Sequence, residues 1–228
     1  MEKIEYNISL INILEQLRDM EHARGGVFKA MAYKKAGESI MSHTEDIVSL
    51  KQIASIDGIG TSIFKKCKEF IETGKVSILE KEKDNPIYVF HKIYGVGPKK
   101  ALELSKQVTT IAELRQNTDL LNDIQKIGLV YYEDILERIP RSEVMEFKVE
   151  FDRAFDKVAD VGDSYDIVGS FRRGNMTSGD IDVIISSTSG NRDIYTNFLK
   201  QLRDDGIIIE DLSRGKTKSL TIGKIPWK

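Results

Sequence analysis

Asp180 and Asp182 are the residues of this sequence best suited to chemistry. They stand two apart in Ser178-Gly-Asp-Ile-Asp-Val-Ile-Ile185, an apolar run with strand character. Successive strand side chains point to opposite faces, so both carboxylates are expected on one exposed face, with Ile181 and Val183 turned into a core. Two neighbouring carboxylates repel unless a cation lies between them. Hard oxygen ligands suit Mg²⁺, which also accepts substrate phosphates as ligands. Just upstream, Asp166-Ile-Val-Gly-Ser-Phe-Arg-Arg-Gly174 reads as a second strand that ends in a Gly-Ser turn followed by two arginines. Gly169, Ser170 and Gly179 let backbone and hydroxyl donors approach phosphate oxygens, and Arg172 and Arg173 supply cations for them. These parts describe metal-assisted nucleotidyl transfer. An isolated Asp-x-Asp is usually a solvated pair; the strand, turn and arginines around this one point to a site.

A second pattern occurs twice. Ile56-Asp-Gly-Ile-Gly60 and Ile93-Tyr-Gly-Val-Gly97 repeat at an interval of 37 residues, measured from Gly58 to Gly95, and a helix follows each. Helix, tight Gly-x-Gly turn, helix is the helix-hairpin-helix pattern. Turn N–H groups at a helix start bind phosphate without reading sequence, and leftover turn carbonyls can hold a monovalent cation. Two ordinary αα-turns are the alternative. The repetition, with an apolar residue two before each Gly pair and another inside it, favours DNA binding through Gly58, Gly60, Gly95 and Gly97.

The elements that position these motifs follow from periodicity. Leu10, Ile13, Leu14, Leu17 and Met20 predict a helix from Ser9 to His22. A second is expected from Val27 to Met41, with Met31, Tyr33, Ala36 and Ile40 as core. Further helices are expected at Ser49–Ser55, Thr61–Thr73 (with a stripe of Ile63, Cys67, Phe70 and Ile71), Pro98–Lys106, Ile111–Gln116 and Asp119–Gln125. After Pro140 a long amphipathic helix carries Val144, Phe147, Phe151, Ala154, Phe155 and Val158. Asp193–Arg203 reads as helix, and Gly206–Leu212 and Ser219–Ile225 read as strands. The fold class is α+β: an all-α N-terminal part with two helix-hairpin-helix motifs, then a small mixed sheet with flanking helices. Breaks at the charged link Glu80–Pro86 and at Pro140 divide the chain into residues 1–82, 83–140 and 141–228.

Composition narrows the function classes. The chain has 228 residues, 40% hydrophobic and 31% charged, which suits globular domains rather than disorder. A net charge of −2 argues mildly against nucleic-acid binding, but Lys34-Lys35, Lys65-Lys66 with Lys68, and Lys99-Lys100 are basic concentrations. No apolar run is long enough for a membrane span, and Met1–Glu5 lacks the pattern of a signal peptide. A single cysteine, Cys67, fits a reducing compartment and reads as a core residue. His22, His43 and His91 form no zinc spacing.

Gly169-Ser-Phe-Arg-Arg-Gly174 and Ser178-Gly-Asp-Ile-Asp-Val183 resemble the active-site signature of family X DNA polymerases. The resemblance covers almost the whole chain. Gly58–Phe70 with Thr73-Gly-Lys75 resembles the family's lyase domain. Gly95-Val-Gly-Pro98, Ile127-Gly-Leu129 and Arg138-Ile-Pro-Arg141 resemble its DNA-binding segment and the link into a nucleotidyltransferase palm. The resemblance implies that Asp180 and Asp182 bind two Mg²⁺ ions, and that Arg138, Ser170, Arg173 and Gly179 contact an incoming deoxynucleoside triphosphate. It implies Na⁺ or K⁺ at the backbone carbonyls of Ala54, Ile56 and Ile59, and of His91, Ile93 and Val96. Lys66 aligns with the lysine that forms a Schiff base at a 5′-deoxyribose phosphate end, and Lys29 and Tyr33 align with phosphate contacts beside it. An amine nucleophile must be partly neutral, and the cations Lys65 and Lys29 nearby would favour that form.

The sequence also departs from the family. Phe28, Ala54 and Ser62 stand where polar or basic groups are expected in the lyase pocket. The family's third catalytic carboxylate would follow on a later strand, beyond Pro226-Trp-Lys228. The expected function is therefore a family X DNA polymerase, or its N-terminal portion. It would fill gaps during DNA repair with 5′-deoxyribose-phosphate lyase activity, acting as a monomer on gapped or nicked duplex inside the cell, in the nucleus of a eukaryote. A non-polymerising gap-binding protein with a lyase remnant is the alternative; a transferase acting on another acceptor is disfavoured by the two hairpins.

Overall fold

The structure is a computed structural model that describes residues 6–43, 45–188, 190 and 193–227. Met1–Glu5, read above for a leader, and Lys228 lie outside the described residues. The chain divides into two compact units, residues 1–125 and 126–228, and each unit has its own hydrophobic core.

The first unit is helical. Helix α1 (Asn7–Ala23) buries Leu10, Leu14, Leu17 and Met20, one stripe at helical spacing. It turns through Arg24-Gly-Gly26 into α2 (Val27–Met41). Gly26 packs closely on Glu21: an added Cβ would lie 3.1 Å from the Glu21 carbonyl and would displace the Glu21 carboxylate. Helix α2 buries Ala30, Tyr33, Ala36 and Ile40. Met31, expected in the core, is 64% exposed, because it lies about 100° around the helix from Ala30 and falls off that stripe. Helix α3 (Leu50–Ser55) is capped by Ser49, whose Oγ accepts from the Gln52 N–H. Helix α4 (Thr61–Thr73) buries Ile63 and Cys67 and ends at Gly74, which is left-handed at φ +73°.

The remaining helices of this unit are short: α5 (Ser77–Glu82), α6 (Pro86–His91), α7 (Pro98–Leu104) and α8 (Ile111–Gln116). The helix expected over 119–125 is instead a 3₁₀ turn, Thr118–Leu120, followed by α9 (Asp123–Val130). A reciprocal pair resets the chain there. Asn122 Oδ1 accepts from the Gln125 N–H at 2.9 Å, and Gln125 Oε1 accepts from the Asn122 N–H at 3.1 Å. This is a capping box that starts a new helix at Asp123.

The second unit runs α10 (Tyr132–Leu136), β1 (Ile139–Pro140), α11 (Arg141–Asp156), β2 (Asp163–Ile167), α12 (Gly169–Arg172), β3 (Thr177–Ser178), β4 (Val183–Ser187), α13 (Ile194–Asp204), β5 (Ile208–Arg214) and β6 (Ser219–Gly223). The pairs β1–β3, β2–β4 and β5–β6 are antiparallel, where the sequence suggested a mixed sheet. The core is aromatic. Phe151 and Phe155 of α11, Tyr165 of β2 and Phe198 of α13 meet with ring centroids 5.0 to 6.4 Å apart, several edge-to-face. The Tyr165 hydroxyl also donates to Asp152 of α11. This packing anchors β2, the strand that delivers Gly169 and Ser170.

Candidate active site and nucleic-acid interface

The carboxylate pair lies just before β4 rather than within it. The strand geometry nevertheless reaches back to it: the Val168 N–H donates to the Asp182 carbonyl at 2.8 Å, one step beyond the Ile167–Val183 pair. Exposure alternates from Asp180 to Ser187, with Asp180, Asp182 and Ile184 outward and Ile181, Val183 and Ile185 packed on the core. The two carboxylates therefore share one face, as period-two alternation requires.

Gly169 makes this arrangement possible. Its φ is +61°, and a Cβ there would clash with the Asp182 carboxylate. Only glycine allows the turn to pass so close to the carboxylate. Asp180 keeps a solvent-exposed edge, yet the protein around it and then Asp182 push its carboxyl above the ordinary range, while Arg138 pulls it back. Arg138 is aimed by Thr177, with Nε donating to Oγ1 and Nη2 to the carbonyl, both at 2.9 Å. Ser170 Oγ donates to the buried Ser178 hydroxyl at 2.8 Å. Arg172 and Arg173 are exposed and make no ion pair among the described residues. The site thus holds two carboxylates on one face, with Arg138 acting on Asp180 and two exposed arginines in the loop after the Gly-Ser turn. A divalent cation fits it in type: two hard carboxylates fill part of an oxygen shell and leave positions for phosphate and water. No third His, Cys, Asp or Glu joins them among the described residues.

Sequence reasoning did not single out the side chain that shapes the arginine loop. Arg141 Nη1 donates to the Phe171 carbonyl at 2.7 Å, and its guanidinium stacks on the Phe171 ring at 4.1 Å. The partners are 30 residues apart, so no local pattern marks them.

The two hairpin turns are close copies. Gly58 and Gly95 have φ of +82° and +80°; Gly60 and Gly97 have φ, ψ of −76°, 171° and −79°, 173°. The Ile59 N–H donates to the Ile56 carbonyl at 3.2 Å, and the Val96 N–H to the Ile93 carbonyl at 3.0 Å. Gly60 and Gly97 need no glycine for backbone reasons, and a Cβ on either would meet nothing within 4 Å. Glycine there leaves room for something outside the chain. The basic concentrations are partly neutralised: Lys34 faces Glu38, Lys35 faces Asp57, Lys68 faces Glu72 and Lys100 faces Glu103. Lys65, Lys66 and Lys99 make no ion pair among the described residues.

Lys66 lies half-buried on α4, and its charge helps hold the Glu69 carboxyl low, behind the hydrogen bonds from Ser77. Lys29, expected beside it, is 74% exposed with Glu21 at 3.8 Å. Tyr33 is buried; burial, then Glu21 and Cys67, push its hydroxyl up to about 12, so it remains a donor at neutral pH. Burial pushes the Cys67 thiol up to about 11 and makes it a poor nucleophile.

The chain thus places a carboxylate pair behind a Gly-Ser turn, preceded in the sequence by two Gly-x-Gly hairpins. The chain matches the family models for the DNA polymerase beta palm at residues 138–227, the helix-hairpin-helix domain at 5–76 and the fingers domain of DNA polymerase lambda at 89–136. It is 33% identical over 214 residues to DNA polymerase lambda of Arabidopsis thaliana, covering 91% of this chain and 40% of that protein. It is 31% identical over 211 residues to DNA polymerase lambda of Rattus norvegicus, covering 91% and 37%. To the DNA polymerase type-X family protein pol4 of Schizosaccharomyces pombe it is 28% identical over 204 residues, covering 87% and 38%. The chain belongs to the family X DNA polymerases, and it spans about two fifths of the length of these relatives.

Proposed function

We propose that this chain carries the gap-binding portion and the first part of the catalytic palm of a family X DNA polymerase that fills short gaps in nuclear DNA repair. The observation that carries the reading is the shared face of Asp180 and Asp182, opened by Gly169, with neither carboxylate ion-paired to a lysine or arginine among the described residues. Arg138, Ser170, Arg173 and Gly179 hold the triphosphate of an incoming deoxynucleotide. Asp180 and Asp182 would hold Mg²⁺, two ions by the family's pattern, whose charge assists in-line attack of a primer hydroxyl on the α-phosphate. Gly58, Gly60, Gly95 and Gly97 seat the hairpin turns on the phosphates of gapped or nicked duplex. The carbonyls of Ala54, Ile56 and Ile59 face Na⁺ or K⁺, and those of His91, Ile93 and Val96 are the set that the family's pattern places at the second hairpin. Lys66 is the amine of a 5′-deoxyribose-phosphate lyase, with Lys29 and Tyr33 on the phosphate.

The segments 1–82, 83–140 and 141–228 are the functional divisions of a monomer, a reading supported by the limits of the three family matches. A titration with gapped and with intact duplex tests the binding half of the proposal. Gapped DNA should bind more tightly, and affinity should fall steeply with salt as counterions are released. Equal affinity for both substrates would remove the gap from the reading.

A further inference from the structure

The two hairpins differ at one carbonyl. By the 37-residue repeat, Val96 corresponds to Ile59 and His91 to Ala54. The Ile59 carbonyl has no hydrogen-bond donor among the described residues. The Val96 carbonyl has one, His91 Nδ1, at 2.9 Å. His91 Nε2 in turn lies 3.1 Å from His22 Nδ1 of α1, with the two rings stacked at a centroid distance of 5.2 Å. A carbonyl only accepts, so His91 Nδ1 carries the hydrogen. In the neutral ring Nε2 is then the acceptor, and His22 Nδ1 must be its donor.

We infer that His91, locked in its Nδ1–H form by His22, is a positioning residue that braces the second hairpin turn for DNA, a task the first hairpin leaves to a bound ion. The inference rests on the reading of the hairpins as phosphate contacts. The peptide between Val96 and Gly97 is planar, so holding the carbonyl also holds the Gly97 N–H. That N–H has no partner among the described residues, and a Cβ on Gly97 would meet nothing within 4 Å. At Ala54 the first hairpin has no side-chain donor to supply, so its Ile59 carbonyl is free for a cation. One lone pair of Val96 O is already used, so the second turn is formed whether or not an ion is present.

Imidazole ¹⁵N shifts of the intact 228-residue chain at neutral pH test the geometry. Both His22 and His91 should report the Nδ1–H tautomer, and an Nε2–H tautomer at His91 would overturn the inference. Binding to gapped DNA tests the consequence, measured in a Gly60→Val background that blocks the first hairpin. There, potassium chloride and tetramethylammonium chloride at equal ionic strength should give the same affinity. Adding His91→Phe keeps the ring volume and removes the donor. It should weaken binding about five- to tenfold, the worth of one hydrogen bond, and make the residual binding stronger in potassium than in tetramethylammonium. A merely structural role would not create an ion preference. Unchanged affinity and ion response in the double variant would refute the brace. If Gly60→Val and Gly97→Val both bind like the parent while the tautomers are as expected, the hairpin reading fails and the brace loses its function with it.

Discussion

Lys66 and the Asp180–Asp182 pair are both assigned chemistry, but their surroundings differ. Lys66 sits on a regular helix with an ordinary neighbour, Glu69, and nothing around it is strained. The carboxylates share one face beside a glycine with φ of +61°, burial and then Asp182 push the Asp180 carboxyl up, and the two arginines of the loop after the Gly-Ser turn have no ion-pair partner among the described residues. Burial and like charge that raise a carboxyl on an exposed face mark a site suited to a cation. An amine that acts by forming a covalent bond needs no such imprint. The structure therefore supports the palm assignment by its own physics, while Lys66 rests on alignment with the family.

The sharpest way to break this contrast is at Lys66. Borohydride should trap an adduct between the chain and a 5′-deoxyribose phosphate end. Lys66→Ala should reduce the adduct on the order of a hundredfold or more, the scale of losing a nucleophile, and Asp180→Ala should leave it unchanged. Unaltered trapping in Lys66→Ala would hand the role to Lys65, Lys68 or Lys29. The hairpins come next. Gly60→Val and Gly97→Val each place a side chain where the protein leaves open space, so folding should survive while affinity for gapped DNA falls roughly tenfold. The slope of log affinity against log salt should flatten by about one for every DNA phosphate that the altered turn no longer neutralises. Wild-type slopes in both variants would exclude the turns from the interface.

A smaller effect is expected at Gly169. Ala there must adopt a positive φ and meet Asp182 Oδ2, so stability should drop by about 1–3 kcal/mol in chemical denaturation. A loss within error would mean that the turn relaxes freely and that Asp182 is not held by it. The smallest effect concerns charge. The folded state raises the Asp180 carboxyl, so the favourable contribution of its protonated form is complete below the unfolded pKa and is lost as pH rises through the folded one. Asp180→Asn keeps the neutral form at all pH values. It should raise Tm slightly at neutral pH, with the gain closing below about pH 4, near the ordinary aspartate value. A lower Tm at neutral pH would contradict the upward shift that burial and Asp182 impose.

Where local rules dominate, the fold was legible in the sequence. The boundaries of α2, α4 and α8 match expectation because apolar periodicity and end signals agree there, as with Thr110 capping α8 and Gly74 closing α4. The shared face of Asp180 and Asp182 followed from alternation alone. Met31 and the 119–125 segment went astray for local reasons: one position off a stripe, and a capping box hidden in Asn122 and Gln125. The interactions that refine the sites were out of reach. Thr177 aims Arg138 across 39 residues, and Gln125 holds the Gly95 carbonyl across 30. Such pairs are set by tertiary packing, and neither partner carries a signature by itself.

The central claim is that Asp180 and Asp182 form a metal and triphosphate site. Mn²⁺ serves as a spectroscopic stand-in for Mg²⁺, and electron paramagnetic resonance counts the bound ion with and without a deoxynucleoside triphosphate. Protein-bound Mn²⁺ should be present in the parent chain, should tighten when triphosphate is added beyond the signal of the Mn²⁺–triphosphate complex itself, and should disappear in the Asp180→Asn, Asp182→Asn double variant. Identical titrations for the parent and the double variant would contradict the account.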